Sequence, residues 1–466
     1  MMGALRGVTD QPITLLKEDL FDVSMYIDAL TEFIISCDTP MTISLQGDWG
    51  SGKTSIMNMI KDKLEGQVHP IWFNTWQFSQ FDIGNDLAFS MMDVMFKGLG
   101  SSHQERNKIL KGLKRFTKTA TEVATDVLAG GKASELAGKV FDIGEETDYA
   151  AEIMELKDKF QKEVDKTLEQ SGVNRVVIFV DDLDRLFPGK AVELLEILKL
   201  FLDCRHCVFI LAVDYEVVQA GIKEKFGGDI SLEKGRKFFD KIIQLPFRMP
   251  INHYNIQQYV ETMMKKVGIS IENNEVCIYS ELISYSTGCN PRSMKRLFNT
   301  FQLLDIVSSK TCAHIEDDVR KRILFAVICL QQAYEEVYVY LSKVKSDIML
   351  RAFFSGAWFS FDIQSEFEED DEEEESDDEI EEESDDEIEE EQDDEDDDNE
   401  KKWFRDKIIA IYPGKTEEEY DQLVPKVAEY LTHFETALQL DDDFDLSKKE
   451  LQNLRDIMHS SSVTSL

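Results

Sequence analysis

Residues 47–54 read Gly47-Asp48-Trp49-Gly50-Ser51-Gly52-Lys53-Thr54, a glycine-rich run closed by a lysine and a hydroxyl side chain. Met41-Thr42-Ile43-Ser44-Leu45-Gln46 precedes it as a short β-type stretch. Ser55 through Leu64 follows with apolar residues at helical spacing. A strand, a glycine loop and a helix in this order form the setting in which G-x-x-x-x-G-K-[ST] binds phosphate. The glycines let backbone N–H groups curl around phosphate oxygens, and the helix N-terminus adds donors and a favourable dipole. In such a cradle Gly47, Asp48, Trp49, Gly50, Ser51, Gly52, Lys53, Thr54 and Ser55 surround the phosphates. Lys53 is expected to reach the β- and γ-phosphates, and the Thr54 hydroxyl to sit on Mg²⁺. A bare glycine-rich turn with a buried lysine stem is the simpler alternative.

A chain of 466 residues with 42% hydrophobic residues suggests two or three domains with real cores. Its net charge of −41 is unevenly spread, because residues 366–400 hold 28 Asp or Glu and no Lys or Arg, which leaves −13 for the rest. No domain is strongly basic, so nucleic-acid binding has no global electrostatic support. No run of about eighteen apolar residues is present, and the first residues lack a basic region followed by an apolar one. Seven scattered cysteines suit a reducing compartment, and together these signs predict a cytoplasmic location without a transmembrane segment. Cys204-Arg205-His206-Cys207 lacks a second pair for a zinc site and reads as two small side chains at the start of a buried strand.

The pattern along the chain predicts an α/β fold. After a helix near residues 22–34 and the phosphate loop, His69 through Phe78 reads as an aromatic-rich strand. Arg175-Val176-Val177-Ile178-Phe179-Val180 runs into Asp181-Asp182-Leu183-Asp184-Arg185 and reads as a fully buried parallel strand with acids at its carboxyl end. Cys207–Asp214 and Lys241–Pro246 read as further strands, and Ala191–Phe201 as a helix between strands. This predicts a parallel P-loop sheet over residues 1–250. A polar helical insertion is expected at about 100–165, with Lys108, Lys111, Lys114, Arg115 and Lys118 on a solvated face. From 251 to 350 the rhythm is helical, predicting a lid or sensor region, and 401–466 reads as a small helical tail. Between them Glu375–Glu382 is repeated as Glu383–Glu390, and the tract 366–400 is expected to be a disordered linker.

Asp181 ends its strand where a Mg²⁺-associated carboxylate belongs, and Asp182 is placed to polarise the attacking water. Beside a cation both are expected to stay ionised at neutral pH. Asp214 would face the γ-phosphate or cap the next helix. Gly288-Cys289-Asn290-Pro291-Arg292 opens a helix, with Pro291 in the first turn. Arg292 is a candidate sensor of the γ-phosphate, with a charged helical face as the alternative. Asp184 and Arg185 could pair to hold the loop, or Arg185 could face a neighbouring subunit; Arg236 and Lys241 are weaker candidates for a group acting across a subunit boundary. No Asn-Lys-x-Asp guanine signature is found, which favours ATP over GTP.

Taken together these pieces resemble the KAP family of P-loop NTPases, related to the AAA+ and STAND classes. The resemblance rests on Gly47–Ser55, on Trp72-Phe73-Asn74-Thr75-Trp76-Gln77-Phe78, on Phe179–Arg185, on Asp240–Pro246, and on Asn290-Pro291-Arg292 through Lys295-Arg296. It covers about residues 15–345. It implies ATP binding and hydrolysis, with Lys53, Thr54, Asp181 and Asp182 in the usual roles. Bacterial proteins similar to this one often look plasmid- or defence-associated and exclude phage. Many family members carry membrane helices between the two nucleotide motifs, whereas the insertion in this chain is polar.

The expected function is an ATP-driven conformational switch or assembly motor with Mg²⁺, self-associating or acting with a protein effector in anti-phage defence. Two alternatives stand beside it. One is an ATP-binding scaffold that does not hydrolyse. The other is a nucleic-acid-stimulated ATPase, which needs a basic channel that an oligomer would have to supply. The acidic tract could serve as a spacer, bind a basic partner, mimic nucleic acid or cover the basic insertion.

Overall fold

A computed structural model describes residues 7–79, 87–104, 106, 149–199, 201–226, 239–269, 271, 275–357, 387–438 and 447–462. Most of the expected insertion, Arg236 and residues 366–386 lie outside the described residues. The chain divides into two compact units, one spanning Gln11–Ile251 and one comprising Asn252–Leu466 with the first ten residues.

The first unit is built on five parallel strands: β1 (Met41–Gln46), β2 (His69–Asn74), β3 (Val176–Asp181), β4 (Cys207–Val213) and β5 (Leu245–Arg248). Their order across the sheet is β2-β3-β4-β1-β5. Strands β3 and β4 are buried along their whole length, as near-continuous Val, Ile and Phe runs require when both faces are covered. Alternate residues serve opposite faces. Val176, Ile178 and Val180 of β3 join Cys207, Phe209 and Leu211 of β4 in one core with Phe96, Phe160 and Leu195. Those last three belong to α4 (Leu87–Gly98), α5 (Tyr149–Ser171) and α6 (Pro188–Leu198). Two further helices, α1 (Ser24–Ser36) and α2 (Lys53–Lys63), pack on each other through buried faces that include Ile27, Ile34, Ile56 and Ile60.

Two expected strands differ from the structure. The run from His69 leaves the sheet at Asn74, and Thr75–Ser79 forms a short helix, α3. The Thr75 hydroxyl donates to the Asp182 carbonyl at 2.6 Å, which turns the chain at that point. The last strand begins at Leu245 rather than Lys241, because Ile242 and Ile243 are buried beneath the sheet edge instead of pairing along it. Lys241 itself is exposed. Cys204 and Cys207 are buried free thiols, and burial raises the Cys204 pKa to about 12, so neither suits redox or metal chemistry.

The second unit is helical: α8 (Ile256–Val267), α9 (Glu275–Thr287), α10 (Pro291–Thr311), α11 (Asp317–Ala333) and α12 (Glu335–Lys343), with residues 347–357 also helical. Then come α13 (Glu387–Ile411), α14 (Glu417–Leu438) and α15 (Lys448–Ser461). Helix α11 is buried from Ile323 to Leu330, and Phe325 meets the rings of Tyr279, Phe298 and Phe301. In this same unit α14 packs against α9 and α11, and α15 against α10 and α11. The acidic tract was expected to be unstructured to residue 400, but 387–400 form the first part of α13. The packing of Trp403 and Phe404 on Phe353 fixes the helix just beyond them, and glutamate extends a helix readily once a nucleus exists.

One carboxyl in this unit predicts a pH dependence. Burial pushes Glu435 on α14 from 4.5 up to about 7. The folded unit therefore takes up that proton more readily than the unfolded chain, so ionised Glu435 weakens the fold as pH rises from 4.5 through 7. Glu435→Gln is expected to stabilise the protein by about 3 kcal/mol at pH 8 and to give no gain below pH 4.5. Unfolding curves of both proteins at pH 8 and near pH 4 check this; an equal gain at both would contradict it.

Candidate functional site

The chain passes from β1 into the N-terminus of α2 through a loop held by glycines. Gly52 has φ 100°, a left-handed conformation that a side chain would strain. A Cβ on Gly47 would lie 2.7 Å from Met249 Cγ and 2.9 Å from Ser51 Oγ, so the loop passes β5 with no space for a larger residue. Trp49 stands 59% exposed on the loop, away from any core.

Across the sheet, β3 delivers the carboxylates. Its last residue, Asp181, is 1% exposed, and its Oδ1 accepts from the Thr54 hydroxyl at 3.1 Å and from the Asp182 N–H at 2.9 Å. Asp181 Oδ2 is buried and has no hydrogen-bond partner among the described residues. Burial, reinforced by the charge of Asp182, pushes the Asp181 carboxyl from 3.8 up to about 6. The protein's own atoms desolvate this carboxyl, and a cation beside it would oppose that shift.

Asp182 has φ 59°, a conformation that aspartate tolerates and that turns its side chain back toward β2. There Asn74 donates to Asp182 Oδ2 at 2.7 Å. Arg185 Nε lies 2.7 Å from Asp182 Oδ1 as an ion pair without hydrogen-bond alignment, and its guanidinium covers the Trp76 ring at 5.0 Å. Arg185 is thus committed within its own chain.

Asp184 lies on the 3-10 turn Leu183–Arg185, and its Oδ2 is 2.7 Å from Lys53 Nζ. Lys53 Nζ also donates to the carbonyls of Gly47 at 2.6 Å and Asp48 at 3.0 Å. The expected phosphate ligand is therefore turned onto its own loop and a neighbouring acid.

Asp214 follows β4 and accepts from the Glu216 N–H at 2.9 Å, capping α7 (Tyr215–Phe226), which supports the helix-cap alternative. A cavity of about 730 Å³ opens at the carboxyl ends of β1, β4 and β5, between Gly47, Asp48, Asp214, Tyr215, Arg248 and Met249. This is the edge of a parallel sheet where ligands bind. Arg292 belongs to the helical unit: Asn290 caps α10 by accepting the N–H groups of Arg292 and Ser293, and Arg292 Nε lies 2.5 Å from Asp10 Oδ2.

Lys53, Thr54, Asp181 and Asp182 are thus brought to one place, together with two residues whose roles sequence reasoning left out. Asn74 lies in the aromatic-rich strand of the sequence, but its place beside Asp182 follows from register, because Asn74 of β2 pairs directly with Asp181 of β3. Asp184, expected to pair with Arg185, instead meets Lys53, while Arg185 meets Asp182. The residues fit a divalent cation: an orphaned carboxylate oxygen, a hydroxyl beside the same carboxylate, and an adjacent phosphate loop. Mg²⁺ is usually held in this way, by few protein oxygens together with substrate phosphates. Among the described residues no helix is long and apolar enough to cross a membrane.

Comparison with known proteins agrees with this geometry. The description "KAP family P-loop domain" matches residues 23–307, more than half of the chain. The chain is similar to the Phage T7 exclusion protein of Escherichia coli (strain K12), with 22% identity over 264 residues. The match takes in 52% of this chain but spans about a third, 34%, of that protein's length. It also resembles the structure of the Aeropyrum pernix ORC1 protein in complex with DNA at 12% identity and a TM-score of 0.32, covering 69% of this chain and 71% of that one. A glycine loop seated under β1, a buried Asp181 beside Thr54 and a family match over residues 23–307 lead to one conclusion: this chain belongs to the KAP family of P-loop NTPases.

Proposed function

We propose that the protein binds ATP with Mg²⁺ and hydrolyses it, using the cycle to switch conformation and engage a protein partner in defence against phage. The observation that carries the catalytic part is the Thr54–Asp181 contact, with Asp181 Oδ2 buried and without a hydrogen-bond partner among the described residues. A buried carboxylate oxygen in that state is costly unless a ligand satisfies it. The loop N–H groups and Lys53 would bind the phosphates, and Thr54 with Asp181 would hold Mg²⁺. The ion supplies charge neutralisation on the phosphate oxygens.

Asp182 would accept a proton from a water as its oxygen attacks the γ-phosphorus. The bond from that phosphorus to the β,γ-bridging oxygen then breaks, giving ADP and phosphate. Asn74 would hold the Asp182 carboxylate in line. Arg292 would act as the nucleotide sensor. The defence role rests on the similarity to a phage exclusion protein, and the effector on the absence of a second catalytic constellation from the sequence.

The test is ATP turnover by the purified full chain with Mg²⁺ or with EDTA, alone and with proteins that copurify with it. Turnover that needs Mg²⁺ and rises with a partner is expected. ATP binding without turnover under every condition would leave a scaffold instead, and stimulation by DNA would point to the nucleic-acid-dependent reading.

A further inference from the structure

The Lys53 ammonium donates to the carbonyls of Gly47 and Asp48, and the Asp184 carboxylate lies 2.7 Å from it as an ion pair. Lys53 and Asp184 are 7% and 4% exposed at their side chains, so this is a buried ion pair and not a surface contact. Its geometry is set by the backbone. Asp182 in the left-handed conformation starts the turn, the Arg185 N–H donates to the Asp182 carbonyl at 3.1 Å, and Leu183 at 1% exposure anchors it. Asp184 is thereby aimed at the one lysine that a phosphate needs. Charge is balanced locally: Arg185 faces Asp182 and Lys53 faces Asp184, while Asp181 forms no ion pair among the described residues.

Moving Lys53 onto a phosphate would leave Asp184 buried without a counter-charge, beside two other acids. Breaking a buried pair in this way is strongly unfavourable. We propose that Asp184 is a latch on Lys53: it competes with the phosphates of an incoming nucleotide, so that nucleotide alone binds weakly, and nucleotide accompanied by a divalent cation, which restores the charge balance, binds well. This makes Asp184 a positioning residue whose action runs through Lys53, and it rests on the nucleotide reading above.

The experiment measures the Kd of a slowly hydrolysed ATP analogue for the full chain, in EDTA and in Mg²⁺, for wild type, Asp184→Asn and Asp184→Glu. Asp184→Asn is expected to bind the analogue in EDTA about tenfold more tightly than wild type, with the Mg²⁺-to-EDTA ratio reduced by a similar factor. Asp184→Glu, which keeps the charge, is expected to restore the wild-type ratio. A purely structural role would not move this ratio. A folded Asp184→Asn that binds no more tightly in EDTA overturns the latch alone. No binding by wild type in either condition overturns the nucleotide reading and the latch with it. Should Asp184→Asn fail to fold, a structure of wild type with the analogue decides. Lys53 Nζ more than about 4 Å from Asp184 is expected, and a retained pair overturns the proposal.

Discussion

Lys53→Ala is expected to weaken ATP binding by on the order of a hundredfold or more and to reduce turnover to background. Truncating one partner of a buried charge pair costs at least about 2–5 kcal/mol, and Lys53 would be the main cation on the phosphates. The substitution has a second consequence, because Asp184 would remain buried with its counter-charge gone. A loss of about 3 kcal/mol of stability is therefore expected in the unliganded protein. The double variant Lys53→Ala/Asp184→Asn separates the two effects. It should recover most of the stability, by removing the stranded charge, and none of the binding. Binding titrations together with unfolding curves on the three proteins check this. Recovery of binding in the double variant would mean that Lys53 serves the fold and not the phosphates.

The second large effect is expected from Asp182→Asn. Loss of a positioned general base costs about 10²–10⁴ in rate, whereas the affinity for the ATP analogue should change little, since the phosphate loop and the Thr54–Asp181 contact stay intact. Asn74→Ala approaches the same carboxylate from the other side. It removes the donor 2.7 Å from Asp182 Oδ2 and is expected to lower turnover by about 10- to 100-fold, again with binding preserved. Single-turnover rates measured beside Kd values discriminate. If Asp182→Asn turned over at the wild-type rate, the base would have to be sought elsewhere among the acids following β3.

Much of the sheet was legible because its physics is local. The runs Val176–Val180 and Cys207–Val213 contain little but β-branched, aromatic and aliphatic side chains, which can form only strands covered on both faces. Helix α10 was legible in the same way, from Pro291 in its first turn. The misread ends have equally physical causes. Trp76 and Phe78 have strand-forming side chains, but the Thr75 hydroxyl bond to the Asp182 carbonyl bends the chain into α3. Ile242 and Ile243 look like a strand and are instead buried against the core by Phe239 and its neighbours. Residues 387–400 have the composition of a disordered tract, but they sit directly ahead of Trp403 and Phe404, whose packing fixes the helix.

The sequence by itself determined that this chain holds a phosphate loop, because glycine spacing, the following lysine and threonine, and the flanking periodicities are properties of neighbouring residues. It also determined that Asp181 and Asp182 lie at the end of a buried strand. What it could not determine is which charges meet. Lys53 and Asp184 are brought to 2.7 Å, and Asn74 to 2.7 Å of Asp182, by strand order and register, which bring together parts of the chain more than a hundred residues apart. The phosphate loop was written in the sequence; the acid that holds its lysine was decided by the turn after β3, where burial makes one carboxylate a counter-ion and leaves another with an oxygen unsatisfied among the described residues.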